Sequence, residues 1–144
     1  MDASLPAAAV FTPAGLTGRW RVARVIEDRL AGGTARLVGE AVFAPDAEGL
    51  CYDESGTLTL PGGQSLAASR RYLWRFGATV QVLFADGRLF HILDPRDPEA
   101  ELVHLCGEDD YRGRYLVTAT GWETEWRVRG PRKDQVSRIA YVRP

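Results

Sequence analysis

Large apolar residues recur at every second position in a series of short runs, and in three of these runs a charged residue falls in the apolar phase. The runs are Trp20-x-Val22-x-Arg24-x-Ile26, Leu50-x-Tyr52-x-Glu54 and Leu66-x-Ala68-x-Arg70-x-Tyr72-x-Trp74-x-Phe76. Side chains alternate across a β-strand, so each run predicts a strand that carries Arg24, Glu54 or Arg70 toward the same side as its aromatic and aliphatic neighbours. A charge buried in this way needs an opposite charge or a ligand. The pattern predicts an all-β protein around a cavity with a polar floor.

Strand-like runs cover residues 17–28, 35–44, 49–54, 57–61, 65–76, 79–85, 88–93, 101–106, 111–120, 122–129 and 135–142, with no competing helical period. Gly32-Gly33, Ser55-Gly56, Gly77, Asp86-Gly87, Gly121 and the segment Gly130 to Asp134 supply turn signals, and residues 94–98 form an Asp/Pro-rich excursion. This predicts about ten antiparallel strands in a meander with little helix. Closing such a meander into a single up-and-down β-barrel removes its exposed edges, and the short connections favour a barrel over a Greek-key sandwich. One register stays open. A two-residue loop at Asp86-Gly87 pairs Val82 with His91 and turns His91 inward; a three-residue loop from Ala85 pairs Val82 with Phe90 and turns His91 outward.

The 144 residues, 45% hydrophobic, suit one domain, expected over residues 16–144 behind a flexible N-terminal segment of residues 1–15. Eighteen Lys and Arg balance 19 Asp and Glu, which lacks the basic footprint of a nucleic-acid partner. Residues 1–15 have no signal-peptide pattern and no run reaches the roughly 20 apolar residues of a membrane helix, so a cytoplasmic protein without a membrane partner is expected. Cys51 and Cys106 are then reduced thiols, Cys51 facing outward and Cys106 sharing a face with His104. Nothing in the chain sets an oligomeric state.

Gly18-x-Trp20 resembles the opening of lipocalin-like barrels, in which a first-strand Trp plugs one barrel end; in that resemblance Arg138 or Arg143 would pack across Trp20. The elements Phe84-x-Asp86-Gly87-Arg88-x-Phe90-His91, His104-x-Cys106-x-x-Asp109-x-Tyr111-x-Gly113 and Trp126-x-Val128-x-Gly130-Pro131-Arg132-Lys133-Asp134 resemble more closely a family of bacterial and fungal lipocalin-like, calycin-type β-barrel domains of unknown function. The resemblance implies a minimal, helix-poor barrel and carries no activity, so function rests on the site.

Four constellations bear on that site. Arg24, Tyr52, Glu54, Arg70, Tyr72 and Trp74 are all predicted inward, and two guanidinium groups against one carboxylate suit capture of an anionic head group. His104, Cys106, Asp109 and Tyr111 gather a titratable ring, a thiol, a carboxylate and a phenol near one strand end. A zinc site there would have to recruit His91 at no recognised spacing, so no metal is assigned. Tyr111, Tyr115, Trp122 and Trp126 form an aromatic wall, and Lys133, the single lysine, lies in a turn that could stand at the barrel mouth.

Together these features predict a non-catalytic barrel binding a small anionic or carboxylate-bearing aromatic or amphipathic molecule. Arg24, Tyr52, Glu54, Arg70, Tyr72, Trp74, His91, His104, Tyr115 and Trp126 are its candidate contacts. One alternative is a small acid/base enzyme using His104 with Asp109, Tyr111 or Glu54. Another is a haem-binding barrel with His91 or His104 as axial ligand. No cofactor is otherwise expected.

Overall fold

Every strand pairs with its neighbour in sequence except the sixth and seventh, which do not pair with each other, and the first strand also pairs with the last. The computed structural model describes residues 6–144. Two helical turns, α1 (Ala7–Val10) and α2 (Pro13–Leu16), precede β1 (Gly18–Asp28), β2 (Thr34–Pro45), β3 (Leu50–Thr59), β4 (Ser65–Phe76) and β5 (Val80–Phe84). β6 (Leu89–Leu93), β7 (Leu102–Cys106), β8 (Asp109–Val117), β9 (Gly121–Gly130) and β10 (Lys133–Val142) complete the chain. The ten strands form one antiparallel sheet ordered β6-β5-β4-β3-β2-β1-β10-β9-β8-β7. Curling brings the two end strands, β6 and β7, side by side without a hydrogen-bonded ladder. The result is the nearly closed up-and-down barrel that the alternation predicts.

Two turn signals act differently from expectation. Ser55-Gly56 does not turn the chain: β3 runs straight through it, and Gly56 faces Gly39 on β2. A Cβ on Gly56 would stand 2.6 Å from the Val38 carbonyl oxygen, so the glycines permit close approach of two bent strands. Two of the expected strands are therefore one.

At Asp86-Gly87 the loop has three residues, with Phe84 N–H donating to the Arg88 carbonyl at 2.8 Å. The ladder continues with Leu83 opposite Leu89, then shifts, and Val82 pairs with His91. Phe90 is the extra residue of a β-bulge. The longer loop thus coexists with the inward His91 of the shorter-loop alternative, because the bulge restores one step of register.

One barrel end is sealed by the segment expected to be flexible. Residues 1–5 lie outside the described residues, but Val10, Phe11 and Leu16 are buried. Phe11 meets the rings of Tyr115 and Trp122 edge-on at 5.5 and 5.6 Å. The reason is apolar surface: Phe11 and Leu16 bury it in the barrel mouth, and Thr12 caps α2 by accepting from Gly15 N–H. Trp20 lies inside this end and donates its Nε1–H to the Leu16 carbonyl at 2.8 Å. Arg143 covers Trp20 with its guanidinium 3.8 Å from the ring centroid, and donates to the Gly15 and Arg19 carbonyls. Gly18 has φ +113°, and a Cβ there would stand 3.1 Å from the Arg143 guanidinium. That geometry accounts for the glycine of Gly18-x-Trp20.

Candidate functional site

The barrel encloses a cavity of about 600 Å³. Its charged end is built from registered partners. Glu54 on β3 stands opposite Arg70 on β4, and Tyr52 stands opposite Tyr72, because the two strands pair in phase. Arg24 reaches across from β1 and donates to both Glu54 carboxylate oxygens at 2.8 Å. Arg70 Nε lies 3.6 Å from the same carboxylate, and its guanidinium donates to the Tyr72 hydroxyl at 3.3 Å. The Tyr52 hydroxyl donates to Glu54 and lies 3.0 Å from the Tyr141 hydroxyl. Burial, Tyr141 and the Glu54 charge push the Tyr52 phenol well above its ordinary value, so it stays a donor. Burial does the same for Tyr141.

Arg24 and Glu54 side chains are 3% and 1% exposed, whereas the Arg70 side chain is 43% exposed. Glu54 therefore sits behind Arg24, and Arg70 brings a second positive charge to the cavity rim. Arg24, Arg70 and Arg88 line the cavity, and among the described residues no carboxylate does. Arg88 is partnered outside it by Asp86 at 2.7 Å.

The walls are aromatic. The bulge at Phe90 turns both Phe90 and His91 into the cavity, where strict alternation would admit one of them. Phe90 stacks between Phe84, at 4.8 Å, and Trp126, at 4.9 Å. His104 on β7 meets Phe84 and Phe90 edge-on at 5.5 and 5.3 Å, so side chains close the seam that the backbone leaves unpaired. Trp122 is stacked between Tyr141, at 3.8 Å, and Tyr115, at 5.8 Å.

Deeper polar groups come from β6, β8 and β9. His91 Nε2 and the Tyr115 hydroxyl are 2.7 Å apart. Burial, with a smaller contribution from His104, lowers the His91 pKa to about 3, so the ring is neutral at ordinary pH. Among the described residues, six buried side-chain polar atoms have no hydrogen-bond partner. Four of them, Arg24 Nε, His91 Nδ1, Trp122 Nε1 and Thr124 Oγ1, belong to residues that line this cavity. Buried polar groups are normally satisfied, and these unpartnered atoms are concentrated at the cavity wall.

Nine of the ten candidate contacts line the cavity: Arg24, Tyr52, Arg70, Tyr72, Trp74, His91, His104, Tyr115 and Trp126. Glu54, the tenth, lies behind Arg24, which it pairs with. Tyr111 and Cys106 also line it. Asp109 does not join His104: its carboxylate pairs with Lys133 at 3.4 Å. His104 rests among rings instead of donating to a carboxylate. Among the described residues, no group of three or more His, Cys, Asp or Glu is disposed to hold a metal ion.

Phe84, Phe90, Thr124 and Tyr141 also line the cavity, without having been singled out as contacts by the sequence. Thr124 and Tyr141 carry a usable signal, since each alternates with an inward residue on its strand. Phe90 carries none, because a bulge breaks the alternation that would reveal it.

Fold and site define a single-sheet β-barrel around an aromatic-walled, arginine-bearing cavity. The chain belongs to the DUF6314 family, a family of unknown function, whose profile matches residues 16–143. No curated protein matches it. Among solved structures it is similar to EF1p2_mFAP2b bound to DFHBI, at 14% identity and a TM-score of 0.45, covering 97% of this chain and 100% of that one. It is also similar to a redesigned β-barrel, mFAP1, bound to DFHBI, at 15% identity and a TM-score of 0.42, covering 96% and 100%. Among the described residues, no helix is long and apolar enough to cross a membrane.

Proposed function

We propose that the barrel is a non-catalytic receptor for a small aromatic or amphipathic molecule bearing a carboxylate or similar anion. The observation that carries this reading is the charge balance at the cavity's polar end. One carboxylate, Glu54, faces two guanidinium groups and is spent on Arg24, leaving Arg70 for an anion. A guanidinium fork matches a carboxylate in a way that a point charge does not. Aromatic walls with a few convergent polar groups, in a volume of about 600 Å³, fall within the usual range of small-ligand sites.

A binding role also agrees with the state of the titratable groups. Asp109 is committed to Lys133, His91 is kept neutral by burial, and His104 packs edge-on against Phe84, Phe90 and Tyr111. These groups shape the walls and seam.

Calorimetric titration of cinnamate against cinnamamide tests the reading. The acid should bind more tightly than the amide, and Arg70→Met should abolish the difference while leaving the unfolding midpoint near that of the wild type. Equal binding of acid and amide to the wild-type protein would sink the anion pocket.

A further inference from the structure

We infer that the ligand carries, at the end opposite its anion, a neutral hydrogen-bond acceptor such as a ring hydroxyl, carbonyl or ether oxygen, which is received by Thr124, Trp122 and His91. This deepens the proposed anion pocket and rests on it. The three side chains are 4%, 1% and 4% exposed, and each has a polar atom without a partner among the described residues. They also lie close together in the fold. Trp122 and Thr124 are successive inward residues of β9, and Tyr115, the registered partner of Thr124 on β8, holds His91.

The chemistry of these atoms selects the group they receive. Trp122 Nε1 can only donate, and the Thr124 hydroxyl can donate or accept. If the Tyr115 hydroxyl donates to His91 Nε2, the neutral ring carries its proton on Nδ1 and presents a third donor. No positive side chain belongs to this set, and the depressed His91 pKa keeps it uncharged. An oxygen with lone pairs and no full charge suits such a set, whereas a second carboxylate would be desolvated without a counter-charge. Separation of the two subsites follows from the strand order: Arg70 lies on β4 and Thr124 on β9, five strands apart around a ten-stranded barrel, so the two subsites stand on opposite walls of the cavity. The ligand class is therefore an aryl acid oxygenated on the ring, far from its acid group.

Titration of the protein with cinnamate and 4-hydroxycinnamate, followed by heat and by tryptophan fluorescence, tests this. Satisfying an otherwise unpaired buried donor should make 4-hydroxycinnamate bind about tenfold more tightly than cinnamate. Thr124→Val, which keeps shape and removes the hydroxyl, should bring that ratio toward one, and Thr124→Ser should restore it. A wild-type ratio near one, or a ratio unchanged by Thr124→Val, overturns the oxygen subsite; Arg70-dependent cinnamate binding would then leave the anion pocket standing. If neither acid binds, the anion pocket fails and this inference fails with it.

Discussion

Trp126 lies flat across Gly113, its registered partner on β8, so that a Cβ at Gly113 would come 2.5 Å from the indole. The missing side chain lets the indole turn along the sheet and stack on Phe90 of β6. A wall of the cavity thus depends on a glycine that has no polar or catalytic capacity of its own. Gly113→Ala should displace Trp126, change the near-ultraviolet circular dichroism of the stacked rings and cost about 1–3 kcal/mol of stability, as overpacking does. Wild-type circular dichroism and an unchanged urea midpoint would contradict this account of the wall.

Glu54 holds Arg24 in a pair whose side chains are almost wholly buried. Glu54→Ala leaves the Arg24 charge without its partner and should lower stability by about 3–5 kcal/mol. Replacing both partners, as Arg24→Met with Glu54→Leu, should recover most of that loss, because no charge is then stranded. Urea unfolding of both variants measures the effect. A near-neutral Glu54→Ala midpoint would mean that solvent in the cavity compensates Arg24.

His91 introduces a pH dependence whose sign follows from burial. Its folded pKa of about 3 lies below the ordinary 6.5, so the unfolded chain binds more protons between these values. The contribution of His91 is unchanged above about pH 6.5 and is lost progressively as the pH falls toward 3. From pH 7 to pH 5 the wild type should lose about 2 kcal/mol relative to His91→Gln, which does not titrate. Urea midpoints of the two proteins at both pH values test it, and parallel pH profiles would show that His91 is solvated when folded.

Phe11 is 1% exposed and closes the barrel end against Tyr115 and Trp122. Phe11→Ala should destabilise the protein by about 3–5 kcal/mol and shift tryptophan emission to the red as water reaches Trp122. If emission and stability stay at wild-type values, residues 6–16 are not an integral part of the barrel end.

Period-two alternation determined most of the architecture, because each strand has one face inside and a one-residue slip would expose all of its apolar side chains. The same alternation placed Arg24, Glu54 and Arg70 in one interior, and nine of the ten candidate contacts around one cavity, before any contact was known. It could not decide what depends on strand approach or on broken alternation. Gly56 carries the local signal of a turn, yet its role is set by Gly39 on the neighbouring strand, 17 residues earlier in the sequence. Phe90 enters the cavity because a bulge adds one residue between two registers. His104 and Asp109 are close in sequence, but Lys133 from β10 competes for the carboxylate and wins it. Local sequence determines which face of a strand is apolar. Only the closed barrel, which brings distant strands within hydrogen-bonding range, decided which polar groups meet and which remain unpaired at the cavity wall.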